Sequence, residues 1–359
     1  MVKILHAADF HLDSAFVALS EEQARQRRQE SRETVERLVD YANDHGAQLM
    51  LLAGDLFDGD NVYSQTGETL CAALSRFTGQ VVIAPGNHDS YQHKSVYARI
   101  ALPENVHVFT GAEQAHFAFP QYGCTVYGAA FTGEDEPAWP GFSVTGDEIA
   151  IGLLHGEVGV NHGNYRPISV DSIAKSGLSY LALGHVHQYS GIQMAGETAW
   201  AYPGCLEGRG FDELGEKGFL FGEVDRDGVK LRFVPFATRR YALLEVDVTD
   251  GEPLGAILRR LPLQTEADIY RIVLTGEVSE GIQLNALSEE LAPRFYALEL
   301  RDKTRAAQDI WARQDEDTLR GLFLQNLRRK VEAADSEEEK EKLEQAVRFG
   351  LAAMDNREI

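Results

Sequence analysis

The sequence predicts an α/β fold, and three observations support that class. Five short, nearly continuous apolar runs are typical of strands buried on both faces, and they cover residues 2–8, 48–53, 80–84, 149–154 and 178–183. Each run is followed directly by polar side chains, and the carboxyl edge of a parallel sheet is where α/β proteins bind ligands. A chain of 359 residues, 44% of them hydrophobic, is also long enough for two domains and a substantial core.

The first helix is expected between the first two strands. Ser20 and Gln23 have the spacing of a capping box, and the helix that they open would carry Val35 and Leu38 inward. Gly46 would end this helix, because glycine readily adopts the left-handed conformation found just beyond a helix.

The pattern changes near residue 238, which predicts a first domain over residues 1–238 and a small α/β domain over residues 239–300. The second domain is indicated by three strand-like runs that alternate with two helical stretches, at residues 241–248, 254–261, 268–275, 284–291 and 295–300.

A linker and a helical tail are predicted over residues 301–359. Ser336 and Glu339 form a second capping-box pattern within this tail. Two apolar stripes at helical spacing must be buried somewhere, and they consist of Leu319, Phe323 and Leu327, then Leu343, Val347 and Leu351.

Five motifs follow the five apolar runs, in the order ADFH, AGDLFD, PGNHD, LLHGE and LGHVH. Together they supply seven oxygen and nitrogen ligands for divalent metals, namely Asp9, His11, Asp55, Asn87, His155, His185 and His187. One such motif would mean little, but the complete ordered set is hard to obtain by chance. Two divalent ions about 3.5–4 Å apart are a standard device for cleaving phosphate esters, so the sequence predicts a di-metal phosphoesterase site.

Asp55 is the predicted bridging ligand, because it has two carboxylate oxygens and stands in the middle of the series. The other ligands divide into one site made by Asp9, His11 and His187 and another made by Asn87, His155 and His185. Mixed imidazole, carboxylate and amide ligands suit manganese, iron or zinc better than calcium or magnesium.

His88 is the predicted catalytic residue beside the ligand Asn87. It would stabilise the transition state or protonate the leaving oxygen, and Asp58 would orient its imidazole. Asp89 is expected only to cap the helix that follows.

The formal net charge of −22 argues against a surface that binds nucleic acid by itself, because phosphate neutralisation normally provides much of the affinity. Two divalent ions would offset this charge where a phosphate sits. Solvated helix and linker charges are the simplest interpretation of the local basic clusters, which comprise Arg25, Arg27, Arg28 and Arg32, and Arg239 with Arg240.

The cytoplasm is the predicted location. The opening segment MVKILHAADF leads at once into a ligand-bearing strand, so we expect neither a signal peptide nor an anchor there. No apolar stretch approaches the roughly 20 residues needed to cross a bilayer. An odd number of cysteines without metal-site spacing predicts buried free thiols in a reducing compartment.

The motifs resemble the signature of the calcineurin-like metallophosphoesterases, which is DxH, GDxxD, GNHD, a strand-end His and GHxH, over residues 1–235. Within that superfamily the chain resembles the SbcD nuclease branch, and specifically the YhaO type of DNA repair exonuclease. The opening HAADFHLDSAF and the segment YPGCLEGRGFDELGEKGF carry this likeness. The resemblance implies a two-layered β-sandwich flanked by helices, a small α/β capping domain and a helical C-terminal tail. It also implies the same seven ligands and a catalytic role for His88.

The function implied by the resemblance is a manganese-dependent 3′-to-5′ exonuclease on duplex DNA, with endonuclease action on single strands, in DNA repair and recombination. Such subunits work in SbcCD-like complexes with an SMC-like coiled-coil ATPase that docks on the C-terminal helices. A homodimer would suit a nuclease that straddles DNA. The second motif ends in Asp58 where some relatives have His, a difference that bears on substrate preference.

Two other function classes remain open. The chain could hydrolyse small phosphodiesters such as cyclic nucleotides with the same metals, although small substrates need neither a capping domain nor a helical tail. It could also be a scaffold protein with vestigial activity, although the complete ligand set argues against this.

Overall fold

The structure, a computed structural model, describes residues 1–59, 62–146, 148–160, 162–249, 251–279, 281–306 and 310–354. Its residues form two compact units. The first comprises Met1–Leu243, Leu263–Arg271 and Ala292–Glu299, and the second comprises Leu244–Pro262, Ile272–Leu291 and Leu300–Ile359. The predicted boundaries at residues 238 and 300 stay a prediction, and residues 355–359 of the predicted tail lie outside the described residues.

The strands of the described residues follow in chain order. They are β1 Val2–Ala7, β2 Leu49–Leu52, β3 Gln80–Ile83, β4 Val106–Val108, β5 Ala115–Phe119, β6 Cys124–Gly128, β7 Ile149–His155, β8 Glu157–Val158, β9 Pro167–Ile168, β10 Tyr180–Gly184, β11 Gln193–Ala195, β12 Thr198–Ala201, β13 Gly218–Asp225, β14 Gly228–Pro235, β15 Tyr241–Asp247, β16 Ile269–Thr275, β17 Glu277–Val278, β18 Ala297–Asp302 and β19 Arg305–Ala306.

The helices of the described residues are α1 Glu21–Asp44, α2 Ser64–Ser75, α3 Val96–Arg99, α4 Val170–Ala174, α5 Pro253–Arg260, α6 Leu284–Leu291, α7 Leu319–Glu332 and α8 Glu337–Met354. Short 3₁₀ turns lie at Pro120–Tyr122 and Ala292–Arg294. None of these helices is both long and apolar enough to span a membrane.

Two six-stranded sheets form the centre of the first unit. One has the order β14-β13-β1-β2-β3-β4 and the other the order β11-β12-β10-β7-β6-β5. Each sheet contains a parallel core, β1-β2-β3-β4 in the first and β12-β10-β7-β6 in the second. The ligand-bearing runs of the sequence are therefore the parallel strands β1, β2, β3, β7 and β10.

The two sheets share one hydrophobic core. Ile4, Leu51 and Val82 of the first sheet pack in the same buried cluster as Ile151 and Tyr180 of the second. The outer face of the first sheet is covered by α1 and α2, and the outer face of the second packs against the segment around α4. This arrangement is a two-layered β-sandwich flanked by helices, so the predicted fold class is confirmed.

Helix α1 begins and ends where its sequence signals predict. The Ser20 hydroxyl accepts a hydrogen bond from the Gln23 N–H, and the Gln23 side chain accepts one from the Ser20 N–H, which completes the capping box. Gly46 follows the helix with φ of 68°, a left-handed conformation that costs glycine little.

Arg27 corrects the interpretation of the basic cluster on α1. Its side chain is fully buried rather than solvated, and it forms ion pairs of 2.7 Å with both Glu30 and Glu207. Arg239 makes a further 2.6 Å ion pair with Glu30. These arginines therefore hold α1 to the segment after the last ligand motif, because a buried charge is stable only when it is paired.

The second unit contains the predicted helical pair. Helices α7 and α8 pack on each other, and the Phe323 ring lies so close to Gly350 that a Cβ there would overlap it. Val347 is buried as its stripe predicts, but Leu319 is 78% exposed and Leu324, outside the predicted stripe, is fully buried. The apolar stripes thus partly bury each other.

The three cysteines are free thiols, as predicted. Cys124 and Cys205 are buried, whereas Cys71 is only partly buried.

Candidate metal centre

The five motifs converge at the carboxyl ends of parallel strands from both sheets. Main-chain hydrogen bonds join the first two motif loops, from Asp9 N–H to Gly54 O at 3.0 Å and from His11 N–H to Asp55 O at 2.9 Å. The fourth and fifth loops are joined by Gly156 N–H, which donates to Gly184 O at 3.2 Å. The strand register therefore brings together side chains that are up to 178 positions apart, as between Asp9 and His187.

Four of the seven predicted ligands have positive φ angles, which are uncommon for residues other than glycine. The values are 53° at Asp9, 44° at His11, 52° at Asp55 and 106° at His185. Strained backbone of this kind clusters at functional sites, where the surrounding structure enforces it.

Asp9, His11 and His187 form what we call the first cluster. One ligand atom from each lies within 4.8 Å of the others, and the His11 and His187 Nε2 atoms are 3.2 Å apart. Asp9 is fully buried, and its carboxylate accepts a 3.1 Å hydrogen bond from the His185 N–H.

Two carboxylates orient the imidazoles of the first cluster. His11 Nδ1–H donates to Asp58 Oδ1 at 3.0 Å, and His187 Nδ1–H donates to Glu213 Oε1 at 2.7 Å. Arg209 links these carboxylates, since its guanidinium donates to Asp58 at 3.2 Å and to Glu213 at 2.8 Å. Carboxylate partners of this kind fix the tautomer of a metal-ligating histidine and raise its basicity.

Asp55, Asn87, His155 and His185 form the second cluster. His155 Nε2 lies 3.3 Å from Asp55 Oδ2 and 3.1 Å from Asn87 Oδ1. The His185 ring meets the His155 ring edge-on, with centroids 5.2 Å apart. Asp55 reaches both clusters, because its Oδ2 is also 3.7 Å from His11 Nε2.

Main-chain groups orient the second cluster. His155 Nδ1–H donates to the Ala53 carbonyl at 2.8 Å, and Asp55 Oδ1 accepts from the His88 N–H at 3.0 Å. Both anchors belong to the strand-end loops themselves.

The donor chemistry of both clusters fits divalent cations. With their Nδ1–H groups donated to carboxylates, the Nε2 lone pairs of His11 and His187 face each other at 3.2 Å and require a shared proton or a cation between them. In the second cluster, His155 Nε2 faces the oxygens of Asp55 and Asn87 in the same way. Buried carboxylates of like charge are likewise stable only beside positive charge.

The pKa values of the two buried aspartates differ in direction. Burial raises the pKa of Asp9 to about 7, with a further contribution from Asp55, while His155 and His187 oppose the shift. Burial also acts to raise the pKa of Asp55, but His155 and His11 outweigh it and bring that pKa below its usual range. The pKa of His155 rises to about 9, because Asp55 outweighs the effect of burial. Of these two aspartates, Asp9 is therefore the one whose ionised form is disfavoured without an added positive charge.

His88 lies at the exposed edge of the site. Its ring meets the His11 ring edge-on with centroids 4.9 Å apart. Asp58, predicted to orient His88, instead accepts a hydrogen bond from the Nδ1–H of His11. An oxygen of the Asp58 carboxylate and a ring nitrogen of His88 nevertheless lie within 4.8 Å of each other. The interval between the second and third motifs does not tell which of two neighbouring imidazoles a carboxylate will contact.

The prediction that Asp89 caps a helix is wrong, because the next helix, α3, begins only at Val96. Asp89 is buried, accepts hydrogen bonds from the N–H groups of Gly86 and Leu56 at 2.7 Å each, and accepts one from the Tyr97 hydroxyl at 2.6 Å. Asp89 therefore ties the second motif loop to the third.

Arg209 and Glu213 are site residues that the motifs did not reveal. Both lie in YPGCLEGRGFDELGEKGF, the segment singled out by resemblance and given no role there. The spacing of four positions between Arg209 and Glu213 was the only signal in the sequence that could have revealed this pair. The same spacing of opposite charges is common on solvated surfaces, so it does not identify site residues.

Comparison with known proteins decides the family. The sequence profile of the calcineurin-like phosphoesterases matches residues 2–189. A relative in Bacillus subtilis, described as the uncharacterized metallophosphoesterase YhaO, is 30% identical over 346 residues, covering 90% of this chain and 83% of the relative. The chain belongs to the calcineurin-like phosphoesterase family. Members are metal-dependent phosphoester hydrolases that bind two divalent metals, which agrees with the clusters described above.

More distant members of the calcineurin-like phosphoesterase family carry names from DNA metabolism. The chain is 23% identical over 360 residues to the DNA double-strand break repair protein Mre11 of Methanopyrus kandleri, covering 91% of this chain and 77% of that protein. It is 24% identical over 256 residues to the SbcD component of the nuclease SbcCD of Bacillus subtilis, covering 60% of this chain and 64% of that protein. The predicted likeness to SbcD-type and YhaO-type proteins is thereby confirmed.

Proposed function

We propose that this chain is a manganese-dependent DNA nuclease, with 3′-to-5′ exonuclease action on duplex ends and endonuclease action on single strands, in an SbcCD-like repair complex. The observation that carries the proposal is the meeting of both clusters at Asp55, with His88 at the exposed edge. The names of the Mre11 and SbcCD relatives support DNA as the substrate class.

The first cluster would hold one metal ion and the second cluster the other, with Asp55 shared between them. When bound, two divalent ions supply charge neutralisation at the phosphate and activation of water. Mixed nitrogen and oxygen donors favour manganese, with iron or zinc as the alternatives.

His88 would act on the reacting phosphate or its leaving oxygen as a catalytic residue. Its side chain is exposed, and its main-chain N–H donates a hydrogen bond to Asp55. Asp58 would act through His11 rather than through His88, which makes it a positioning residue in this proposal. Arg209 and Glu213 would hold His187 in the same manner.

The assay that tests this proposal compares three substrate classes with purified protein and manganese. End-labelled duplex DNA should be shortened from its 3′ ends, and bis-p-nitrophenyl phosphate should be hydrolysed as a generic diester. Rapid hydrolysis of cyclic nucleotides with intact DNA would instead establish a small-molecule phosphodiesterase. Inactivity on all substrates with two bound ions would establish a scaffold protein.

The proposed partner of the helical tail is an SMC-like coiled-coil ATPase, and a second copy of the chain is a further proposed partner. Two members of the predicted apolar stripes are unsuited as anchors for this partner, since Phe323 lies against Gly350 within the helical pair and Val347 is buried. Leu319, Leu322 and Phe349 are 78%, 61% and 52% exposed, and we propose them as the apolar anchors for helix-in-groove docking.

Deletion of residues 317–359 should abolish association with the ATPase and efficient degradation of long DNA. Hydrolysis of bis-p-nitrophenyl phosphate should remain nearly unchanged. A Leu322→Ser, Phe349→Ser double variant is the milder test, and Val17→Ser, at a side chain 92% exposed in the first unit, is its control. Capture of the ATPase by the truncated chain at full strength would contradict the docking proposal.

A further inference from the structure

Tyr165 is an exposed aromatic side chain that contacts the second cluster. It is 42% exposed, and its ring lies 5.0 Å from the His185 ring at an interplanar angle of 37°. The His185 ring contacts two other aromatic rings of the described residues, those of Tyr165 and His155. A partly exposed aromatic side chain thus lies directly beside a candidate metal ligand.

The residue after Tyr165 anchors this part of the chain in the protein interior. Arg166 is 1% exposed and has a φ of 47°, a conformation that is uncommon for residues other than glycine. The Arg166 guanidinium donates to Ala130 O at 2.5 Å and lies 4.5 Å from the centroid of the Phe131 ring. Burying a guanidinium is costly unless it is paired and hydrogen-bonded, so the segment is strongly fixed.

Main-chain hydrogen bonds fix Tyr165 from both flanks. Glu136 N–H donates to Asn164 O at 2.7 Å, and Arg166 N–H donates to Glu136 O at 3.1 Å. Glu157 N–H donates to Tyr165 O at 3.2 Å. The exposed ring is therefore carried on a rigid backbone, unlike an ordinary surface tyrosine on a loop.

We propose that Tyr165 is a stacking platform for the nucleobase adjacent to the scissile phosphate, which gives the site a nucleoside subsite beside the second cluster. This inference rests on the proposed nuclease function. Stacking suits a nuclease that acts on any sequence, because every base presents a π face. The rigid presentation lowers the entropy lost when a base binds.

The test uses three esters that release the same p-nitrophenolate. They are methyl p-nitrophenyl phosphate, thymidine 5′-(p-nitrophenyl phosphate) and thymidine 3′-(p-nitrophenyl phosphate). Wild-type protein with manganese should prefer at least one nucleoside ester over the methyl ester. Tyr165→Ala should lower kcat/KM for that nucleoside ester by about 5- to 100-fold more than it lowers kcat/KM for the methyl ester, mainly through KM.

Matched variants separate stacking from support of His185. Tyr165→Phe and Tyr165→Trp should keep the nucleoside preference, while Tyr165→Leu should lose it. Tyr63→Ala removes a tyrosine that is 61% exposed and should change none of the three rates. Manganese affinity measured by calorimetry should be the same in Tyr165→Ala as in wild type.

Equal losses on all three esters, or weaker manganese binding in Tyr165→Ala, would overturn the subsite and leave Tyr165 as a positioning residue for His185. DNA cleavage without any nucleoside preference in the wild type would also overturn the subsite while the nuclease proposal stands. A Tyr165-dependent nucleoside preference without DNA cleavage would support the subsite and refute the nuclease proposal.

Discussion

In the first cluster, His11 and His187 donate their Nδ1–H groups to the side chains of Asp58 and Glu213, which Arg209 links. In the second cluster, the corresponding proton of His155 goes to the main-chain carbonyl of Ala53. The His187 side chain is 29% exposed, whereas that of His155 is completely buried.

This difference determines how each cluster can be disturbed. The first cluster depends on acidic side chains, so a single polar substitution can alter it. The second cluster depends on backbone positions, so substitutions that move the backbone should disturb it more than loss of a neighbouring acid. Asp55 is common to the two clusters, because its carboxylate lies near both His11 and His155.

Asp55→Asn should have the largest effect, because it removes the carboxylate shared by the clusters. We expect two manganese ions per wild-type chain, and in the variant a loss of affinity greater than about 100-fold at both sites. Metal analysis and calorimetry measure this, with Asp171→Asn, at an exposed side chain, as control. A wild-type chain that binds only one ion tightly would refute the two-site assignment.

His88→Gln should separate chemistry from metal binding in both clusters. Cleavage of bis-p-nitrophenyl phosphate should fall by a factor on the order of 10² or more, because a general acid or transition-state donor is lost. Manganese stoichiometry should stay at the wild-type value, since His88 is assigned to neither cluster. Activity within a few-fold of wild type would assign the role to another group.

Glu213→Gln should weaken the first cluster selectively. Loss of the charged partner lowers the basicity of His187, and substitutions of such partners typically cost 10- to 100-fold in metal affinity. Calorimetry should therefore show one weakened and one unchanged manganese site. Asp212→Asn neutralises the adjacent exposed acid and should leave both sites unchanged; equal weakening of both sites by Glu213→Gln would show that the clusters are not separately held.

Gly54→Ala should disturb the second cluster through the backbone. Gly54 has φ of 86°, and a Cβ there would lie 2.6 Å from His155 Nδ1 and 2.8 Å from Gly86 N. We expect a loss of about 1–3 kcal/mol in the free energy of unfolding and weaker manganese binding at one site. Gly46→Ala is the matched control, because Gly46 has φ of 68° with nothing within 4 Å of such a Cβ. Equal behaviour of the two variants would leave only backbone strain as the cause.

The smallest expected effect is an opposite pH dependence of the two clusters in the metal-free chain. Burial acts to raise the pKa of Glu213, but His187 and Arg209 outweigh it and lower that pKa. Glu213 therefore stabilises the fold above the unfolded-state pKa of about 4.3, and this stabilisation is lost as pH falls through the lowered folded-state pKa. The pKa of His155 is raised to about 9, so its stabilisation is fully present below about pH 6.5 and is lost as pH rises through 9.

The measurement is the free energy of unfolding in urea, determined in the presence of a chelator from acidic pH to above pH 9. The free energy of unfolding of the wild type should exceed that of Glu213→Gln by about 1–2 kcal/mol at neutral pH, and this difference should shrink in acid. The difference between wild type and His155→Gln should instead shrink in alkali. Parallel curves for the two variants would show that both clusters respond to the same titration.

The sequence alone determined the fold class and the convergence of the motifs. Asp9, Asp55, Asn87, His155 and His185 each follow a buried strand, and parallel strands end at a common edge, so a local pattern was enough to predict a shared site. The capping box of α1 was equally local, because it depends on two residues three positions apart.

Only the tertiary structure decided which groups hold the site together. Glu213 meets His187 across 26 positions, and Asp58 meets His11 across 47. Tyr165 contacts His185, and the buried side chain of the next residue, Arg166, fixes this part of the chain. Such contacts join loops, and no periodic pattern of apolar residues marks them in the sequence. The packing of the sheets determines which loop residues meet. The exposure of apolar side chains on α7 and α8 was decided in the same way, because it depends on how the two helices pack against each other.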